Sequence, residues 1–472
     1  MKRIVLLSLA AFCFSCQKDT KQDKLIPDEN RIPTVASAGD GAYDVVGYGY
    51  DVTGSFADAQ SSRSRVFDFA AFQAANPGRV EVKNLFEQKF YYEYASDAET
   101  LMKKVSASVS ATASYSAFSG TLKGSYDQSS TFSSKDVYGI CNLLVRNKEI
   151  KLTTDASTLK NYLTPEFKYD LANLSLNQFV ERYGTHVHLN IVTGGKMEVI
   201  YKSETRSGRR TSAAAGGLDL NMNKVFGIKL NIGVDKSASD SNTIENISYR
   251  TRGGGFVAIA SFDPKSGITF NPGAWQQSIT SQNSVLVEIP QNGLIAITDF
   301  IDDPVKKAQL AAYIDQYIKN NAVNLQYEKA QLYSYLYNGT SNGIIDVLLT
   351  TKPSEVAGVA GWNNGAVIGT IFTDNSKPGT IPIYRYFQNN KTHFFTNNFN
   401  EIGNGGQHGK YEWITGYVYK DPTAGAVPIY RYNANGMHWY TTTFQGQSFV
   451  IGGGFSKKTY VYESILGYLP QN

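Results

Sequence analysis

Residues Val105 to Ala117 alternate without exception: odd positions hold Val, Ala or Tyr, and even positions hold Ser or Thr. Successive side chains of a β-strand face opposite sides, so this run writes one apolar and one polar face. The phase then flips. Phe118, Gly120, Leu122, Gly124 and Tyr126 are even, against Ser119, Thr121, Lys123, Ser125 and Asp127. A hairpin loop of even length near Ser116–Gly120 produces such a flip while keeping one continuous apolar face. A second segment repeats the pattern with larger residues. Leu218, Leu220 and Met222 are followed in phase by Phe226, Ile228, Leu230, Ile232 and Val234, opposite Asp219, Asn221, Lys229, Asn231 and Asp235. A three-residue loop at Asn223-Lys224-Val225 preserves that phase. Each arm is about nine to eleven residues, the length of a tilted transmembrane strand. The same alternation also suits a soluble hairpin with one face on a core.

The N-terminus is read as an export signal. Lys2 and Arg3 precede a short apolar run, Ile4 to Phe14, too short to span a bilayer. The run ends at Cys13-Phe14-Ser15-Cys16, where a small residue before a cysteine resembles the bacterial lipobox, with Cys13 in place of the usual leucine. Residues 1–15 are then the leader and Cys16 the lipidated N-terminus; ordinary cleavage is the alternative. Residues 16–38 are polar, broken by Pro27 and Pro33, and read as a tether. Beyond the leader, Cys141 is the one other cysteine, so no internal disulfide is expected once Cys16 is modified. With a formal charge of +4 and no massed basic stretch, the chain carries no nucleic-acid footprint.

Aromatics are 13% of the chain and glycines number 42, which favours β structure with many turns. A strand is expected at Val66–Phe69. Residues 154–183 are expected to be largely helical, with Thr164 capping and Pro165 in the first turn. A second helical stretch is expected over 295–318. Asp299, Asp302 and Asp303 at its start read as caps and dipole partners. The first domain is placed at 39–325. Residues 326–472 carry an internal repeat. Pro382-Ile383-Tyr384-Arg385-Tyr386 recurs as Pro428-Ile429-Tyr430-Arg431-Tyr432, and His393-Phe394-Phe395-Thr396 as His438-Trp439-Tyr440-Thr441. A degenerate copy with Leu332-Tyr333-Ser334-Tyr335 and Leu348-Leu349-Thr350-Thr351 precedes them. Three units that cannot each cover their own apolar face imply a pseudo-threefold β domain of open closure type.

Tyr183-Gly184-Thr185-His186-Val187, followed by six residues and Gly194-Gly195, resembles the signature of the membrane-attack-complex/perforin family; Val187 departs from the usual aromatic. Gly47 to Asp51 is similar to that family's opening strand, and Gly253-Gly254-Gly255 falls where its glycine hinge is expected. Trp275 falls in its tail-strand region. The resemblance implies an α+β fold with a bent, twisted four-stranded antiparallel sheet and flanking helical clusters. It implies that the two alternating segments are helical in the soluble form and become membrane hairpins in a homo-oligomeric ring. The first hairpin would present Val105, Val109, Tyr115, Phe118, Leu122 and Tyr126. The second would present Leu218, Leu220, Met222, Phe226, Ile228, Leu230, Ile232 and Val234. Gly194 and Gly195 allow a kink or a close backbone approach.

No nucleophile elbow, phosphate loop or dinucleotide fingerprint is present. His186-x-His188 lacks an acidic or cysteine partner at metal spacing, so neither a metal, a cofactor nor catalysis is expected. In the repeats, Tyr384, Arg385, Tyr430, Arg431, His393 and His438 are candidate contacts to a surface receptor (a glycan, lipopolysaccharide or outer-membrane protein), or else core and rim of the β domain. Two functions stand open. One is a pore-forming lipoprotein at the outer membrane or cell surface, acting on the lipid membrane of competing bacteria. The other is a non-lytic adhesin or uptake component on the same fold.

Overall fold

The computed structural model describes residues 44–107, 109, 117–125, 131–255, 260–263, 267–339, 343–389, 391–406, 409–451 and 457–471. Cys16, Tyr115, Tyr126 and His408 lie outside them. In chain order the first part holds β1 (Tyr48–Tyr50), β2 (Ser62–Arg65), α1 (Phe69–Ala75) and β3 (Val80–Ala95). Then come α2 (Ala98–Ala107), α3 (Gly120–Lys123), β4 (Thr131–Ser133), β5 (Asp136–Leu152), α4 (Ala156–Leu159), α5 (Pro165–Asn173) and α6 (Leu176–Tyr183). After these follow β6 (His186–His188), β7 (Asn190–Thr205), α7 (Arg210–Phe226), β8 (Asn242–Arg252), β9 (Ala260–Asp263) and β10 (Gly267–Phe270). The part closes with α8 (Gly273–Gln277), β11 (Val285–Glu288), β12 (Leu294–Ala296), α9 (Pro304–Asn321) and β13 (Asn324–Gln326).

The central sheet has the antiparallel columns β3, β5 and β7. Its fourth column is split: β8 pairs Lys196 to Thr205 of β7, and β11 pairs Val192 to Gly194. The register breaks at one level in every column, between Asn84 and Glu87, between Arg146 and Lys148, and at the gap between β8 and β11. Bulges concentrate local twist, so this line is where the sheet bends. Smaller sheets join β2, β1, β6 and β12, and pair β13 with β4 in parallel. One large core buries Val105, Phe118, Leu122, Tyr138, Ile140, Tyr183 and Ile200 on one sheet face. The opposite face carries Cys141, Leu143, Met197, Val199 and Tyr201 under α7.

The helical expectations hold at α5, α6 and α9. Thr164 Oγ1 accepts from Phe167 N at 3.2 Å, and Asp303 Oδ1 accepts from Val305 N at 2.8 Å. Asp302 and Asp299 pair instead with Lys160 (2.5 Å) and Lys307 (3.1 Å). Three expectations are corrected. The helix expected over 295–318 starts at Pro304, because Leu294–Ala296 pair as β12 and Ile297–Phe300 form a 3-10 turn. The strand at Val66–Phe69 is β2, which ends at Arg65; Asp68 caps α1 through Ala71 N, so Phe69 begins a helix. Trp275 sits in the short helix α8, and the tail strand is β11.

The repeat region holds β14 (Lys329–Gly339), β15 (Ile344–Thr350) and β16 (Ala366–Phe372), then β17 (Thr380–Phe387), β18 (His393–Thr396), β19 (Gly405–Gly406) and β20 (Gly409–Tyr419). Last come β21 (Val427–Ala434), β22 (Met437–Thr441), β23 (Ser448–Ile451) and β24 (Lys458–Leu469). In each unit the first long strand pairs antiparallel with two others: β14 with β15 and β16, β17 with β18 and β20, β21 with β22 and β24. The units interlock cyclically. Leu469 packs on Gly369, Ile371 on Gly416 and Val418 on Gly467. That closure gives the pseudo-threefold domain its shared core around Ile371, Ile383, Val418, Ile429 and Leu466.

Candidate functional site

Helix α7 occupies the second alternating segment. Its buried residues Leu218, Met222 and Phe226 recur every fourth position and pack onto the β5–β7 face. Four residues is close to one helical turn and also an even strand interval, so one set of side chains serves an apolar face in either state. Each such buried side chain contributes about 1.5–3 kcal/mol. Leu220 separates the two readings. In the helix it points to solvent, 45% exposed, although it belongs to the apolar strand face. Gly216 and Gly217 each weaken the helix by about 1 kcal/mol relative to alanine, so packing rather than propensity holds it. The fit is close: Leu218 fills the space over Gly139, and a Cβ on Gly217 would stand 2.1 Å from Tyr201 Oη. Gly227, at φ +68°, ends the helix, and 228–234 return along it as irregular chain. Leu230 N donates to Asp219 Oδ1 at 3.0 Å, and Lys236 pairs with Asp219 at 2.6 Å. Ile232 is buried, and Ile228, Leu230 and Val234 pack partly against the same core.

The first segment is helical at α2 and α3, with turns and irregular chain at its other described residues. Leu101, Met102 and Val105 of α2 are buried on the other sheet face, as are Val109, Phe118 and Leu122. Its return, α3, is fastened to the loop after β1. Phe118 N donates to Val52 O (2.6 Å), Gly120 N to Thr53 O (3.1 Å) and Phe56 N to Thr121 Oγ1 (2.8 Å). Ser119 Oγ and Lys123 Nζ both donate to Asn321 O at the end of α9 (2.6 and 2.8 Å). Local alternation thus gives way to tertiary contacts in both segments.

The run Tyr183 to Gly195 joins the opening strand to the bend. Tyr183 Oη donates to Asp170 at 2.7 Å. Gly184, at φ +73°, lies against Tyr50, whose carbonyl carbon a Cβ would approach to 2.5 Å. Thr185 N donates to Tyr50 O (2.9 Å), while Thr185 Oγ1 accepts from Val52 N (3.2 Å). His186 Nδ1 lies 2.9 Å from Thr185 Oγ1, and the ring lines a cleft of about 440 Å³ with Phe118, Leu294 and Ile314. Burial holds its imidazole down to about 4. His188 is fully buried between Ser62 and the Tyr50 ring, and burial holds it down to about 3. At the bend Gly194 leaves room for Val145 O, 1.9 Å from where a Cβ would be, and Gly195 for Ile279. Gly253 O accepts from Trp275 Nε1 (3.0 Å), Gly254 N donates to Asn283 O (3.1 Å) and Gly255 N to Ser278 Oγ (2.8 Å). These three glycines, the expected hinge, are therefore pinned by α8 and the loop after it.

The family model of the MAC/Perforin domain matches residues 33–326. The chain belongs to the MAC/Perforin family. A domain of unknown function (DUF5648) matches twice, over 305–409 and 350–469. No curated protein matches. Among solved structures, the chain is similar to a MAC/Perforin protein from Bacteroides thetaiotaomicron described as a cell-invasion protein (20% identity, 68% of this chain and 70% of that one, TM-score 0.48). It is also similar to GNIP1Aa from Chromobacterium piscinae (17%, 91% and 80%, TM-score 0.47) and, more distantly, to the human-specific toxin intermedilysin (13%, 59% and 56%, TM-score 0.22).

Within the MAC/Perforin domain the structure adds a charge cluster on the sheet face beneath the loop after β1. Lys196 and Glu198 are buried 3.4 Å apart. Lys196 Nζ donates to Phe56 O at 2.7 Å, Arg250 pairs with Glu198, and Arg252 pairs with Asp58 at 2.5 Å. Burial pulls the Lys196 ammonium down to about 8. Burial opposes ionisation of Glu198, but Lys196, Arg250 and Arg252 bring its carboxyl below the ordinary range. The cluster clamps the loop that fastens α3. Its signal was in the sequence: Lys196-x-Glu198 and Arg250-x-Arg252 interrupt strands at alternate positions.

In the repeats, the candidate contacts divide. Arg385 is buried between Glu355 (2.7 Å) and Glu412 (2.6 Å), and Arg431 between Glu401 (3.0 Å) and Glu463 (2.9 Å). His393 is held by Asp346 at 2.7 Å, and His438 lies 3.6 Å from Glu463. These four are packed inside, spent on neighbours. Tyr384 and Tyr430 stay half-buried at the surface, beside Phe399 and Phe444 respectively. Among the described residues no cluster of three or more His, Cys, Asp or Glu is arranged to hold a metal, and no helix is long and apolar enough to cross a membrane.

Proposed function

We propose that this chain is an exported pore-forming lipoprotein, tethered through Cys16, that assembles into a ring and inserts two β-hairpins per subunit into the membranes of competing bacteria. The observation that supports it best is the double periodicity of α7. Leu220 faces solvent in the helix and falls on the apolar face of a strand over 218–234, where a membrane strand places its apolar side chains. The repeat domain would select the target surface, with the half-buried Tyr384 and Tyr430 as its candidate aromatic contacts. A non-lytic adhesin or uptake role draws on one observation, the weakly apolar wall of the first segment, largely Ala107, Ala111, Ala113 and Ala117.

Dye release from sensitive cells or matched liposomes separates the two. Wild type releases dye, and Ile228→Asp binds the surface without release. The pair Gly139→Cys/Leu218→Cys, which ties α7 to β5, blocks release when oxidised and restores it on reduction. Burial pushes the Cys141 thiol to about 12, so it does not compete for the bond. Failure of wild type to release dye from any of these membranes favours the adhesin.

A further inference from the structure

The ladder between β5 and β7 ends at Asp136 and Glu204, with Thr205 N donating to Lys135 O at 3.2 Å. Continued in register, it would set residues 131–134 opposite 206–209, and this is the growth that hairpin formation requires. Two groups occupy that growing end. The strand β13 pairs in parallel with β4, Asn324 with Thr131, Leu325 with Phe132 and Gln326 with Ser133, and Ser134 N donates to Gln326 O at 2.9 Å. The Arg210 guanidinium caps three backbone carbonyls, of Ser96 (2.8 Å), Ser134 (2.6 Å) and Asp136 (3.0 Å).

What holds β13 there is the repeat domain. Strand β14 starts three residues beyond β13, at Lys329. Glu328 pairs with Lys135 at 2.5 Å and accepts from Thr373 Oγ1 at 2.7 Å. Ser376 Oγ donates to Ser134 Oγ at 2.9 Å. The loop after β16 and the linker thus grip residues 131–135 together.

We infer that β13 is an autoinhibitory edge cap: it occupies the backbone of residues 131–134 and makes extension of the central sheet wait on displacement of the repeat domain. A parallel pair of three residues is marginal, and parallel pairing is slightly weaker per residue than antiparallel. A pair this short yields once the linker is pulled, and residues 131–134 can then continue the β5 strand. Docking of the repeat domain on a target surface supplies that pull, so recognition and insertion are coupled through β13. Arg210 leaves its carbonyls in the same step, because Ser134 and Asp136 belong to the strand that extends. The inference rests on the hairpin-insertion reading for its consequence, but not for its geometry.

The pair Ser133→Cys/Gln326→Cys ties β4 to β13 at exposed register partners. In the oxidised form, dye release should fall at least tenfold with surface binding unchanged, and reduction should restore it. Release at the wild-type rate from the oxidised form overturns the cap. Hydrogen–deuterium exchange decides the matter apart from lysis. Leu325→Asp should raise exchange at amides 131–136 and 205–212 at least tenfold while the middle of β5 and β7 stays protected. Unchanged exchange at 205–212 overturns the coupling, whether or not the wild type is lytic. A wild type that releases no dye, with the exchange increase present, sinks the pore reading and leaves the cap standing.

Discussion

Gly253 lies backbone to backbone against Gly194: a Cβ on Gly253 would stand 2.4 Å from the Gly194 carbonyl oxygen. The Gly253–Gly255 run and the glycine pair of the signature are therefore packed together at the sheet bend. Gly253 also adopts φ +69°, which side-chain-bearing residues take up at a cost.

Gly253→Ala should combine a left-handed alanine with a clash against main chain. The expected loss is about 2–4 kcal/mol of stability, read from urea unfolding. Gly78→Ala, where a Cβ meets nothing within 4 Å, is the control and should change little.

Leu220 and Met222 should part company. Leu220→Arg changes a solvent-facing position of α7 and is expected to alter stability by no more than about 0.5 kcal/mol. On the lipid face of a strand the same arginine costs about 2–4 kcal/mol at mid-bilayer, so dye release should collapse. Met222→Ala, at a buried position, should cost about 2–5 kcal/mol of stability. A soluble form equally damaged by both changes would mean that Leu220 has a packing role in the helix.

Acid should loosen the signature region. His186 and His188 are held neutral, at about 4 and about 3, against an ordinary 6.5. The unfolded chain takes up these protons as pH falls through 6.5, and the folded chain does not. The stability is thus fully present above 6.5 and declines as pH drops toward 4. His188→Gln should flatten this decline. Urea midpoints of wild type and variant between pH 7.5 and 4.5 test it; parallel lines would dismiss the histidine contribution.

Arg431 and Tyr430, neighbours in sequence, should fail differently. Arg431→Ala leaves Glu401 and Glu463 without their shared cation and should cost about 3 kcal/mol in thermal unfolding of the repeat domain. Tyr430→Ala should spare folding by comparison and weaken attachment to target cells. Attachment unaffected by the Tyr430 and Tyr384 substitutions together would move the recognition surface elsewhere.

What the sequence discloses and what it hides follow from range. Thr164-Pro165 and Asp303-Pro304 show helix starts because a cap needs only its next three residues. The repeat shows itself because three copies keep the same strands. The alternation of 218–234 is as plain, yet it does not describe the soluble conformation. There the deciding contacts are Gly139 with Leu218 and Tyr201 with Gly217, brought together across the fold. The parallel pair of β13 with β4 and the Arg210 cap have no local pattern either, and the charges at Arg250 and Arg252 show in sequence without their partners. Buried Arg385 and Arg431 look like surface recognition residues in sequence because their glutamates, Glu355 and Glu401, come from the preceding unit.

On the insertion reading, Leu218, Met222 and Phe226 answer to two structures at once, so a change at any of them would be penalised twice. Leu220 would be read in the inserted state alone. A lineage that gave up insertion would then keep the first three and let a polar residue drift into the fourth place. A leucine held facing water at 220 would in that case be a heritable trace of insertion.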